Sequence, residues 1–192
     1  GTGDMPTSLY FSLPEEKRDR IKKAVYDEYI NKPYDKVTIR TLTEKAGISN
    51  GSLYRYFESK DKMYIYFANE LADKVYGQLP DIYTYLITDF YSNTVLSPEE
   101  NAFMNTLFNA PDEVLKKYYF DEYSKNHIAA LEKQVLDMQE SGRLSKEWPV
   151  HLYTHLLITT SFNLFIYVNK NGITDPEERQ NLYIKAKSAM FL

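Results

Sequence analysis

Residues 38–60, TIRTLTEKAGISNGSLYRYFESK, constrain the fold more tightly than any other part of this 192-residue chain. Ile39 and Leu42 lie three apart and Ala46 follows four later, which gives one buried helical face. Gly47 comes where a last helical turn ends, a position that favours the left-handed backbone glycine adopts easily. Ile48 plugs the turn. A second short helix then places Leu53 and Phe57, at i and i+4, on its inner side. The other face carries Asn50, Ser52, Tyr54, Arg55 and Tyr56, hydrogen-bond donors on apolar bodies. Two short helices about a tight turn make a helix-turn-helix, and side chains of this kind suit phosphates and base edges.

The run AGISNGSLYRYFESK, with Thr38 and Arg40 upstream, closely resembles the DNA-binding region of the TetR family of bacterial transcription regulators. Ala46, Gly47, Ile48, Ser49, Gly51, Leu53, Tyr54, Tyr56, Phe57 and Lys60 fit the family pattern. The similarity reaches back over LPEEKRDRIKKAVYDEYI as a first helix and covers about a third of the chain. It implies an all-α fold: an N-terminal three-helix, homeodomain-like helix-turn-helix domain, then a C-terminal helical ligand-binding and dimerisation domain. The expected division is 14–60 for the reading head, 61–78 for a linking helix and 79–192 for the effector-binding and dimerisation domain. Residues 1–13 read as a leader and N-terminal arm, with Met5 as the natural start.

The resemblance also assigns roles. Thr38 and Arg40 approach the DNA backbone and groove, and an arginine there can take phosphate or a guanine edge bidentately. Asn50, Gly51 and Ser52 open the reading helix where side chains reach base edges; Gly51 can only permit close approach. Tyr54 and Tyr56 place hydroxyls on phosphates, and Arg55 takes a base or a phosphate. Lys60 sits near a helix N-terminus, where free N–H groups already favour an anion. Ser49 and Thr38 are also the N-caps of their helices. The implied protein is a cytoplasmic bacterial homodimer on a near-palindromic operator, a repressor released by a small-molecule effector. Half-sites one turn apart would lie ~34–36 Å between centres, or a multiple. The alternative is a DNA-binding protein controlled by a protein partner, or with an architectural role.

Net charge of −4 looks wrong for a DNA binder, but it is unevenly spread. Residues 14–77 carry 13 basic and 11 acidic side chains, whereas 78–192 carry 10 and 15. A local positive face would have to attract phosphate. Cysteine is absent, so disulfide and thiolate chemistry are excluded. Residues 152–168 are the most apolar stretch, but Thr154, His155, Thr159, Thr160, Ser161 and Asn163 interrupt it, and a spanning helix wants ~20 mostly apolar residues. No membrane association is expected.

Periodicity and capping signals place helices at 14–31, 38–46, 50–56, 60–77, 80–94, 98–108, 111–141, 149–170 and 176–191. The aromatic content of the chain is high, with 18 Tyr and 10 Phe, and a helical domain rich in them can enclose an apolar or aromatic effector. Tyr85, Phe103, Phe108, Tyr119, Tyr123 and Phe162 are the expected contacts. An aromatic stripe at helical spacing is more often core than pocket. Leu156, Phe165, Leu182, Ala186 and Ala189 on the last two helices are the expected dimer face. An enzyme finds little support. His151 and His155 have metal-sharing spacing, but neither a third ligand nor an intervening glutamate accompanies them. Asp121-Glu122 and Glu99-Glu100 are adjacent, so each pair splits between helix sides. No catalytic residue, metal or cofactor is expected.

Overall fold

A computed structural model describes residues 6–76, 95–118 and 125–191. The described residues are helical and contain no strand. The helices are α1 (Ser8–Phe11), α2 (Glu15–Asn31), α3 (Ile39–Ala46), α4 (Asn50–Tyr56), α5 (Lys60–Tyr76), α6 (Pro98–Asn105), α7 (Asp112–Lys116), α8 (Lys125–Glu140), α9 (Val150–Lys170) and α10 (Pro176–Phe191). Short 3-10 turns occupy Tyr34–Lys36 and Thr106–Asn109. The expected helix at 80–94 lies outside the described residues. The expected helix at 111–141 is helical at both ends, with 119–124 outside the described residues.

Contacts divide the chain into two compact units, Gly1–Leu71 with Ser97–Tyr123, and Ala72–Leu96 with Ser124–Leu192. In the first unit, α2 starts after Pro14 with Glu15 and Glu16 in its first turn, where acids favour the helix dipole. It stops because Pro33 forces Lys32 into extended backbone (φ −133°, ψ 148°). Thr38 caps α3 through a reciprocal box with Thr41, whose N–H donates to Thr38 Oγ1 at 3.1 Å. Gly47 ends α3 at φ 68°, and the following Ile48 N–H reaches back to the Thr43 carbonyl at 3.1 Å. Ser49 caps α4 by accepting from the Ser52 N–H at 3.2 Å.

The same unit takes in α6 because of aromatic packing. Phe103 is fully buried and stacks on Tyr26 with ring centroids 4.5 Å apart and planes 20° apart. Its edge meets Tyr64 at 5.3 Å, and the Tyr64 hydroxyl is within 2.7 Å of Thr106 Oγ1. These contacts place Phe103, expected as an effector contact, among the buried aromatics of the N-terminal unit. Lys117 adds an ion pair to Asp61 at 3.0 Å. Asp61 also accepts from the Tyr34 hydroxyl. Burial pushes the Asp61 carboxyl up, but the bonds from Tyr34 and Lys117 hold it below its ordinary value.

In the second unit, α8 ends at Gly142 (φ 77°), and Gln139 ties down the loop by donating to the carbonyls of Ser145 at 2.8 Å and Trp148 at 2.9 Å. Leu131, Val135, Tyr153, Leu157, Ile158, Val168 and Tyr183 form its buried side. Arg179 is fully buried and donates to the Ile173 carbonyl at 2.7 Å, closing the turn before α10. Leu156, Leu182 and Ala186 are half-buried and Ala189 is exposed. Among the described residues, no helix is long and apolar enough to cross a membrane.

Candidate nucleic-acid interface

The geometry of α4 follows from what lies on either side of it. Leu42, Ala46, Leu53 and Phe57 are buried, which fixes the α3–α4 angle from within; Ile48 and Ile39 are half-buried. Glu28 of α2 braces α3 as well. Its carboxylate is buried and meets Lys32 Nζ at 2.7 Å and Lys45 Nζ, from α3, at 3.0 Å. Burial alone would raise this carboxyl, but hydrogen bonds from Lys32 and Lys45 outweigh it and lower the pKa to about 2.

The exposed side of α4 presents Asn50, Gly51, Tyr54 and Arg55, with Ser52 half-buried. Tyr54 is 57% exposed, unusual for a tyrosine, and its hydroxyl is open to a partner. Arg55 is the one basic residue on the helix. Asn50 Oδ1 lies against the Thr43 hydroxyl, which also points at the Ile39 and Arg40 carbonyls, both at 2.9 Å. Thr43 has one proton for three acceptors, so an Asn50 amide turned to donate to Thr43 satisfies the group better. Asn50 therefore links α3 to α4 as well as facing outward. Thr38 is exposed at the start of α3. Arg40 is 80% exposed and pairs with Glu44 at 3.0 Å. Such an exposed i,i+4 pair is worth little, so the guanidinium can exchange it for phosphate.

Two expected phosphate contacts stand differently. Tyr56 is 5% exposed; its ring faces inward against Tyr10, 6.3 Å between centroids, instead of standing on the outer face. The reason is register: residue 56 is three after Leu53, on the same buried stripe. Lys60 donates to the carbonyls of Tyr34 at 3.1 Å and Val37 at 3.0 Å, with its ammonium 4.6 Å from the Tyr34 ring centre. These bonds clamp the turn into α3.

The expected effector contacts Tyr85, Tyr119 and Tyr123 lie outside the described residues, as do the side chains of Phe108, Phe162 and Phe165. A cleft of about 320 Å³ opens at the end of α2, walled by Tyr29, Ile30, Lys32, Tyr34, Thr106 and Asn109 among others. His151 and His155 are both exposed on α9. Among the described residues, no group of three His, Asp or Glu side chains could hold a metal ion.

Gly51 separates structure from function. A Cβ added there meets nothing within 4 Å. Gly51→Ala should therefore leave the fold intact or stabilise it by up to ~0.5–1 kcal/mol, since alanine is the better helix former. If α4 lies close against DNA, the same methyl should weaken binding by roughly tenfold. Thermal unfolding and a DNA titration on one variant check both signs.

A three-helix head that exposes one short helix bearing Asn, Tyr and Arg, over a turn closed by glycine, defines a helix-turn-helix DNA-binding protein. Residues 23–67 match the model of the bacterial regulatory proteins of the tetR family. The HTH-type transcriptional repressor KstR2 of Mycolicibacterium smegmatis is 28% identical over 171 residues, 89% of this chain and 72% of that protein. The fold is shared with NalD, the secondary repressor of the MexAB-OprM multidrug efflux pump in Pseudomonas aeruginosa (TM-score 0.64, 14% identity, 93% of this chain and 97% of that one). It is also shared with Salmonella enterica GusR (TM-score 0.58, 16% identity, 91% and 96%). The reading head thus matches the tetR family of bacterial regulatory proteins over residues 23–67, and the chain is similar to an HTH-type transcriptional repressor over most of its length.

Proposed function

We propose that the protein is a homodimeric repressor that reads a near-palindromic operator with α4 and leaves it when a small molecule binds the C-terminal part of the chain. The observation that carries this reading is the exposed set Asn50, Gly51, Tyr54 and Arg55 on a helix whose opposite side is fully buried. Thr38, Arg40, Ser49 and Ser52 flank it. The similarity to KstR2 and the fold shared with NalD, both repressors by name, favour repression over activation. Residues 61–78 serve as the linking helix, and the effector and dimer domain is drawn from 79–192, of which 97–123 group with the reading head in one compact unit. Leu156, Leu182, Ala186 and Ala189 contribute the dimer face. The effector is apolar or aromatic, in keeping with the Tyr and Phe content of that region. For release to occur, it must bind the state unable to grip DNA more tightly than the competent one.

Tyr54→Phe tests the reading head. Loss of a hydroxyl on phosphate should weaken binding to all sequences alike, by about fivefold, as direct titrations on two unrelated duplexes would record. A loss confined to one sequence would assign Tyr54 to base reading. Footprinting of a selected fragment with and without small-molecule extracts tests release. A protected near-palindrome that clears on addition of one extract supports the repressor; protection that no extract alters moves the reading to a protein-controlled regulator.

A further inference from the structure

We infer that the N-terminal segment at residues 6–13 is a working part of the DNA-reading head, and that Thr7 is a positioning residue for α4. The inference rests on the proposal that α4 reads DNA. A helix leaves its last four carbonyls without intrahelical partners. In α4 these belong to Leu53, Tyr54, Arg55 and Tyr56. The Phe57 N–H takes Leu53. Thr7 takes two more from across the chain: its Oγ1 donates to the Arg55 carbonyl at 2.8 Å, and its N–H donates to the Tyr56 carbonyl at 3.0 Å.

Thr7 is itself the N-cap of α1, where a threonine hydroxyl ordinarily caps its own helix. Here it makes no such bond. Its hydroxyl is turned to the end of α4 instead. Tyr10, one turn further on, anchors the segment. It is 2% exposed, with its ring 5.1 Å from Phe57, 5.8 Å from Tyr66 and 6.3 Å from Tyr56. The segment thus grips the last turn of α4 by its main chain and the first residue after it by its side chain.

The consequence falls on reading. At seven residues α4 is too short to hold its own shape. Ser49 fixes its first turn and Thr7 its last, where Arg55 sits. Loosening Thr7 lets the Arg55 backbone wander, so sequence-specific contacts suffer before general phosphate attraction does. Specificity in this head depends on residues outside the helix-turn-helix.

Thr7→Val removes the hydroxyl bond, and Thr7→Ser retains it. Thr7→Pro removes both bonds, and the native φ of −67° accommodates proline. Affinity for a selected operator fragment and for a scrambled duplex is measured for each, with thermal midpoints alongside. The expected result is about a three- to fivefold loss on the operator for Thr7→Val, little change on the scrambled duplex, and near wild-type behaviour for Thr7→Ser. Thr7→Pro should lose more than Thr7→Val. Unchanged operator affinity in both Thr7→Val and Thr7→Pro overturns the inference. An equal loss on both duplexes, or one that follows the thermal midpoint, also overturns it. If the wild type itself shows no preference between the duplexes, the reading of α4 as a sequence reader fails instead.

Discussion

Phe103→Ala should destabilise the N-terminal unit by about 3–5 kcal/mol, the usual range for truncating a fully buried aromatic. The ring is 0% exposed, stacks on Tyr26 and edges onto Tyr64, so its removal opens a cavity among aromatic walls that cannot easily close. Chemical denaturation at neutral pH measures the loss directly. The outcome also separates two readings of this residue. As core, it changes stability strongly and effector response only through folding. A variant that stays within about 1 kcal/mol of wild type would return Phe103 to the set of candidate ligand contacts. Phe103→Leu, which keeps most of the volume, should lose less than half as much.

Glu28→Gln should cost up to about 3 kcal/mol at pH 7 and progressively less in acid. The sign follows from the folded carboxyl, whose pKa is lowered from 4.5 to about 2. A folded pKa below the unfolded one means the stabilisation is complete above pH ~4.5. It drains away as pH falls from there toward 2. Lys32 and Lys45 are 39% and 45% exposed, so solvent screens part of the gain and the figure is an upper bound. Urea melts of wild type and variant at pH 7 and pH 3.5 should show a gap that narrows in acid. A gap that is the same at both would mean that packing, and not charge, is what Glu28 contributes. Because Lys45 lies on α3, the variant should also loosen the helix-turn-helix relative to α2.

The helix-turn-helix was legible because its cues are local. Apolar residues at helical spacing, glycine at the left-handed stop and threonine and serine caps all sit within a few residues of what they determine. The same holds for Ser97-Pro98-Glu99-Glu100, where the Ser97 hydroxyl accepts from the Glu100 N–H at 3.1 Å as a capping box should. Tyr56 carries a usable signal for burial. Its spacing from Leu53 places it on the buried stripe, while its hydroxyl is of the kind that suits phosphate. Lys60 had no such signal, since its carbonyl partners lie 26 and 23 residues upstream. Tyr10 was hidden for a related reason. A four-residue helix has no periodicity, and its worth comes from rings more than forty residues away. Phe103 could not be told from a pocket residue because core and pocket both ask for aromatic side chains at helical spacing.

The central claim is that α4 reads DNA sequence. It is tested most directly by selecting genomic fragments on the purified protein and titrating the best one against a scrambled duplex at two salt concentrations. The account predicts a short protected near-palindrome and a preference of at least about a thousandfold that persists as salt rises. Binding that is weak, equal on both duplexes and abolished by modest salt would contradict it, because phosphate attraction alone behaves that way.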